Sequence, residues 1–169
     1  MDSKSEQFSL IYDQYIEKIY RFVYLKVNSQ EIAEDITSRV FMKAWEAYNK
    51  PGAPIANMSG FLYQISRNMV IDHYRGKEKA RMVSFDDVPM VADMRTNVHE
   101  RAAISADMEQ VKLALRNIKK DYQDVLILHY LEDMPVAEVA SILGKSEGSV
   151  RVMVHRGLNA LKNEMSQQA

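Results

Sequence analysis

Glu147, Ser149, Arg151, Val152, His155 and Arg156 recur at spacings that bring them to the outward side of one helix, with Lys145 and Ser146 at its mouth. Side chains of these types do not make or break covalent bonds in such an arrangement; they read surfaces. Arginine bonds the guanine edge bidentately or holds a phosphate, serine serves either purpose, and the start of a helix itself favours a phosphate. The residues just upstream supply what a reading helix needs beneath it. In a helix-turn-helix a small residue stands where the two helices cross, a residue tolerant of positive φ follows the first helix, and apolar residues anchor the second. Ala140, then Gly144 four positions later, then Val150 with Met153 and Val154 meet those three requirements, packing back on Val139 and Leu143.

Two further constellations carry recognisable chemistry. Tyr63, Arg67, Asn68, Tyr74 and Arg75, followed by Lys77, Lys79 and Arg81, interleave aromatic, amide and basic groups. Such a surface suits a nucleic-acid strand taken out of its duplex, since unstacked bases lie on aromatic rings while cations hold the backbone. The second constellation combines Glu31, Asp35, Arg39 and Lys43 at helical spacing with Phe41, Met42 and Trp45. There charges set register and large apolar groups supply area, as at a protein partner's surface. Core packing is an equally good account of Trp45.

No enzyme constellation stands beside them. The chain has no cysteine, which removes disulfides, thiolate metal sites and a cysteine nucleophile together. Its 4 histidines, at 73, 99, 129 and 155, fall in different elements, and no glycine-rich phosphate loop or metal-binding helix signature occurs. His129 and Asp133 share a helix face near a helix end, where a structural role is the ordinary one. Catalysis, a metal and a cofactor are therefore not expected.

The net charge of -1 argues against a generic nucleic-acid coat, but the charge is unevenly placed. Phe61 to Ser84 holds five Lys/Arg against two Asp/Glu, and Gly144 to Asn163 four against one, each a balance of +3. Between them, Asp86 to Glu109 has six acids and two bases, a balance of -4. Two basic surfaces separated by a segment that avoids polyanions is the pattern implied.

The elements that must position these groups are helices throughout. Apolar residues recur at helical spacing nearly everywhere, and no sustained alternation suggests a sheet. With 47% hydrophobic and 27% charged residues, 6 Gly and 4 Pro, the chain should mostly fold, in two small domains. Phe8, Tyr12, Tyr15, Ile19 and Phe22 mark a first helix opened by a capping-box pattern at Ser3 and Glu6; Asn28 and Ser29 end it and cap the next. A second helix over about Gln30 to Tyr48 buries Ile32, Ile36, Val40 and Ala44, and after a loop through Pro51, Gly52 and Pro54 a third begins near Ser59 on Phe61, Leu62, Ile65 and Met69. These helices make a domain over 1–80, a linker follows over 81–104, and 105–169 form a second domain. Its helices are expected at Ala106 to Ile118, Tyr122 to Leu131, Val136 to Leu143 and Glu147 to about Met165, with Asp121 and Ser146 as caps and Pro135 at a helix start.

Three blocks in this order resemble the extracytoplasmic-function group (group IV) of bacterial sigma factors of the sigma-70 family. Ala33 to Thr37 with Val40 to Trp45 is similar to the helix by which that family binds the clamp of the polymerase's largest subunits. Phe61 to Asn68 with Val70 to Arg75 is similar to its minus-ten helix, and Tyr122 to Lys162 to its minus-thirty-five domain. Ile118 to Asp121 departs from a common Leu-Pro, and Pro135 stands where many relatives have a Ser or Thr cap.

The resemblance implies a factor that docks on core RNA polymerase through Glu31, Asp35, Arg39, Phe41, Met42, Lys43 and Trp45. It implies that opened minus-ten DNA is captured by Asn57, Tyr63, Arg67, Asn68, Asp72, Tyr74, Arg75, Lys77 and Lys79, the Asn49 to Met58 loop forming a pocket for a flipped base. The helix-turn-helix over 136–155 would read the minus-thirty-five element through Lys145, Ser146, Glu147, Ser149, Arg151, Val152, His155 and Arg156. By the same resemblance an anti-sigma factor would hold the free protein, which no heptad seam marks as a dimer. Without an export signal or a stretch long enough to cross a bilayer, the chain is expected in the cytoplasm. A free-standing helix-turn-helix regulator is the competing reading.

Overall fold

The computed structural model describes residues 3–52, 54–80 and 106–168, and among them every regular element is helical. The chain divides into two compact units, with the boundary between 101 and 102, inside the acidic stretch. The linker expected over 81–104 lies outside the described residues.

The first unit packs three helices, α1 (Ser3–Val27), α2 (Gln30–Asn49) and α3 (Met58–Ala80). A two-residue corner joins the first pair. Asn28 takes the left-handed conformation at φ 57, which asparagine tolerates at a helix end, and its N–H reaches the Tyr24 carbonyl at 2.8 Å. Ser29 then opens α2 by accepting the Ile32 N–H on its hydroxyl at 3.3 Å. Ile19, Phe22 and Val23 meet Ile36, Val40, Ala44, Leu62 and Val70 in the core.

On α2 and α3 the expected Ile36, Val40, Ala44, Leu62 and Ile65 are buried, but the buried faces are wider than that spacing implied. Ile32 is only half-buried, while Ala33, Thr37 and Phe41 go inside. On α3, Phe61 and Met69 are half-buried and Tyr63, Ser66 and Val70 take the inward positions, with the Ser66 hydroxyl donating to the Leu62 carbonyl at 2.7 Å. A helix wedged against two others buries a wider arc than one stripe, and Tyr63 falls inside that arc.

The second unit comprises α4 (Ala106–Arg116), α5 (Lys120–Leu126), α6 (Val136–Leu143) and α7 (Glu147–Gln168). The turn from α4 to α5 is tied by Gln123, whose buried Nε2 donates to the carbonyls of Leu115 at 2.6 Å and Ile118 at 3.3 Å. Asp121 is not the cap expected of it: Lys119 holds that position without a side-chain bond, and Asp121 lies in the first turn, where a carboxylate complements the helix dipole.

The expected Tyr122 to Leu131 helix is interrupted. α5 winds into a π-helical turn over Ile127–Leu131, whose end is marked by the Glu132 N–H on the Ile127 carbonyl at 2.9 Å. His129 Nδ1 lies 2.8 Å from the Met134 carbonyl and clasps the following turn, in which Asp133 is left-handed at φ 57.

Candidate nucleic-acid and partner interfaces

The turn between α6 and α7 is built as the spacing demanded. Gly144 has φ 65 and ψ 37, its N–H bonds the Ala140 carbonyl, and Lys145 N–H bonds the same carbonyl at 3.0 Å. Ser146 caps α7: its hydroxyl accepts the Ser149 N–H at 3.1 Å and its carbonyl the Val150 N–H at 3.0 Å. Ala140 and Val150 are buried under the crossing, with Val139 and Ile142.

Above that seat the whole expected set is exposed: Lys145, Ser146, Glu147, Ser149, Arg151, Val152, His155 and Arg156. Glu147 and Arg151 lie 3.6 Å apart as an exposed pair one turn apart. Being solvated on both sides, the pair holds Arg151 only weakly and leaves it available to a stronger acceptor.

Two supports of this face went unread in the sequence. Gly157, buried in α7, lets the helix lie close on α5; a Cβ there would stand 3.3 Å from Tyr122 Cβ. A glycine inside an otherwise regular helical run is the signal that could have found it. Gln123 carries no such signal, because a buried amide on a helix end looks like any surface glutamine in sequence.

On α2, Asp35 and Arg39 are exposed and pair at 3.6 Å, with Met42 and Lys43 exposed farther along and Glu31 half-buried. Met42 is 61% exposed beside these charges. Trp45 is half-buried, its ring 5.2 Å from Phe8 and 6.4 Å from Tyr48. Phe41 is a correction. It is 4% exposed and packs edge-on against Tyr12 at 5.0 Å, so it joins α2 to α1 rather than offering area to a partner.

On α3, Asn68, Asp72 and Arg75 share an exposed face, with Arg67 half-buried beside it. Asn57, exposed in the preceding loop, opens α3 by accepting the Gly60 N–H at 3.1 Å. Tyr63 must be removed from the stacking surface: it is 1% exposed and meets Phe22 edge-on at 5.6 Å, a consequence of the wider buried arc. Tyr74 is half-buried, and its hydroxyl donates to the Lys26 carbonyl at the end of α1. The backbones of Lys77 and Lys79 continue α3, but their side chains lie outside the described residues.

Burial also sets two titrations near the start of α2. It pushes the Tyr20 hydroxyl up to about 12, helped by the charges of Glu34 and Tyr24, and it raises the Glu34 carboxyl above the ordinary carboxylate range. Glu34 Oε1 is buried without a hydrogen-bond partner among the described residues. No described helix is long and apolar enough to cross a membrane.

Residues 11–80 match the family described as sigma-70 region 2, and residues 108–161 that described as sigma-70, region 4. The chain is 25% identical to the ECF RNA polymerase sigma factor BldN of Streptomyces coelicolor over 158 residues, covering 94% of this chain and 60% of that protein. It is 27% identical to the ECF RNA polymerase sigma factor SigX of Bacillus subtilis over 164 residues, covering 95% of this chain and 84% of that one. Among solved structures it is similar to the sigma factor RpoE in complex with the anti-sigma factor NepR from Bartonella quintana, with TM-score 0.71 and 21% identity over 95% of this chain and 98% of that one. It is similar also to CnrH in complex with the cytosolic domain of CnrY, with TM-score 0.72 and 17% identity over 98% and 91% of the two chains. At those identities the likeness to the solved chains is one of fold. Region 2 and region 4 are both present, in that order and in separate helical units, and the chain belongs to the sigma-70 family.

Proposed function

We propose that this chain, a group IV member of its family, acts stoichiometrically and without catalysis in the cytoplasm, as the promoter-recognition subunit of RNA polymerase. The observation that carries the reading is the α7 face, where eight polar, basic and apolar groups stand exposed on a capped helix seated by Ala140, Gly144 and Val150. A helix so presented fits the major groove, and its bases set the affinity while its side-chain pattern sets the sequence. Residues 105–169 form the minus-thirty-five domain on this reading, 81–104 the linker, and 1–80 the domain that meets polymerase and the minus-ten strand.

The exposed α2 side chains Asp35, Arg39, Met42 and Lys43, with Glu31 and Trp45 at their edges, meet the clamp of core polymerase. Asn57, Arg67, Asn68, Asp72, Tyr74 and Arg75, with Lys77 and Lys79, meet the separated minus-ten strand. Separation is favoured because the opened strand gains contacts the duplex lacks. The similar fold of a sigma factor solved in complex with an anti-sigma factor supports a partner of that kind holding this chain when free.

In vitro transcription by core polymerase, with and without the chain, on a pool of genomic fragments from the same organism tests the proposal. Defined starts that require the chain are expected, and Arg151→Ala should weaken them while leaving association with core polymerase intact. Duplex binding by the isolated chain as tight as that with polymerase, and no chain-dependent start, would instead indicate a free-standing regulator.

A further inference from the structure

Two residues on the reading face of α7 are unexplained by the fold. Gly148 lies in the first turn of the helix, exposed, and a Cβ placed on it would meet nothing within 4 Å. Its φ is not in the left-handed range, so neither backbone geometry nor packing calls for glycine, which costs a helix stability relative to alanine. One turn on, Val152 is 47% exposed, an apolar β-branched side chain surrounded by exposed Arg151, His155 and Arg156. Residues four apart stack on one ridge of a helix, so the two form a narrow strip of bare backbone and methyl groups inside a cationic face.

Resting on the reading of α7 as a groove helix, we infer that Gly148 and Val152 form the contact that selects a thymine, with the Val152 methyls seated on the thymine 5-methyl group. The cations on both sides commit the occupant to a polyanion, and within the major groove the apolar feature is the thymine methyl, which cytosine lacks. Gly148 matters because the helix must descend until a valine side chain, shorter than its arginine neighbours, touches the groove floor. A Cβ at 148 would hold the helix away. Arg151, one turn beyond Glu147, then reaches the adjacent base pair, and specificity at one position comes from van der Waals contact and at the next from hydrogen bonds.

The test uses the full chain bound to core polymerase and an upstream duplex recovered by selection from a randomised pool. Each thymine is replaced in turn by deoxyuridine, which removes only the methyl group. One replacement should weaken binding about fourfold, the equivalent of one methyl group withdrawn from contact. The same replacement should be silent with Val152→Ala. Gly148→Ala should weaken binding about tenfold through misplaced base contacts while raising, not lowering, the melting temperature.

Replacements that are all silent with the wild type, or equally costly with Val152→Ala, overturn the thymine contact, as does a Gly148→Ala chain that binds normally. In each of those outcomes Arg151→Ala separates the two levels. If that variant still loses binding, the groove reading of α7 survives without the thymine contact; if it binds as the wild type does, both fall.

Discussion

The reading face of α7 and the polar face of α3 use the same kinds of residue, yet the fold treats them differently. On α7 the surface lies wholly outside the core: Val150 and Gly157 are buried, and every residue expected to touch DNA is exposed. On α3 the aromatics expected to stack on bases are drawn inward, Tyr63 fully and Tyr74 through its hydroxyl on the Lys26 carbonyl. The difference follows from how each helix is supported. α7 packs against α4, α5 and α6, but over 147–156 Val150 alone is buried, with Met153 and Val154 half-buried, so the rest of those first turns is free for recognition. α3 packs on α1 and α2 and gives up a broader arc to the core, with Leu62, Tyr63, Ile65, Ser66 and Val70 all buried. Recognition and stability should therefore be separable on α7 and entangled on α3.

The sharpest way to break that comparison is Tyr63→Ala. It should destabilise the first unit by about 3–5 kcal/mol in urea denaturation, as for other large buried rings, whereas Arg75→Ala should stay within about 0.5 kcal/mol. Equal small effects would mean that α3 is not so entangled. In the second unit, Gln123→Ala strands the Leu115 and Ile118 carbonyls and should cost about 1–3 kcal/mol. Gly144→Ala should cost about 1–2 kcal/mol, because an L residue is strained at φ 65. Arg156→Ala, by contrast, should lower DNA affinity without moving the denaturation midpoint.

A smaller effect tests the part-buried Glu34 of α2. The folded state holds a proton on Glu34 above the pH at which the unfolded chain releases it. Folding is thus favoured by acid within the window between the ordinary and the raised values, and that contribution is lost as pH rises through it. Glu34→Gln should raise the melting temperature at neutral pH, with the gain shrinking toward pH 4.5. A gain that is the same at both pH values would place the carboxylate in water. Asp35→Ala closes the series at about 0–0.5 kcal/mol, since its pair with Arg39 is solvated on both sides.

What could be read from residues alone divides along the same line. The helix-turn-helix was legible because it depends on local requirements: a small crossing residue, a left-handed turn and a hydroxyl cap each leave a residue type at a fixed offset. The helices of the first unit were legible in existence and in their central stripes, Ile36, Val40, Ala44, Leu62 and Ile65, but not in how wide an arc each buries. Tyr63 and Phe41 fall inside or outside according to that width, and the width is set by neighbours distant in the chain. The π-helical turn at Ile127–Leu131 left no trace, because its extra residue is accommodated by His129 and Asp133, whose types fit an ordinary helix end equally well. Gln123 was invisible for a similar reason: its partners are carbonyls, which every residue possesses.

The most direct measurement is a fluorescence titration of the labelled chain into core RNA polymerase, wild type beside the Asp35→Ala, Arg39→Ala double variant. Both side chains are exposed, 66% and 60%, so the variant should fold and melt as the wild type does. Tight binding by the wild type and clearly weaker binding by the variant is the expected result. Equal binding by the two would contradict the α2 interface, and no binding by either would contradict the polymerase-subunit function itself.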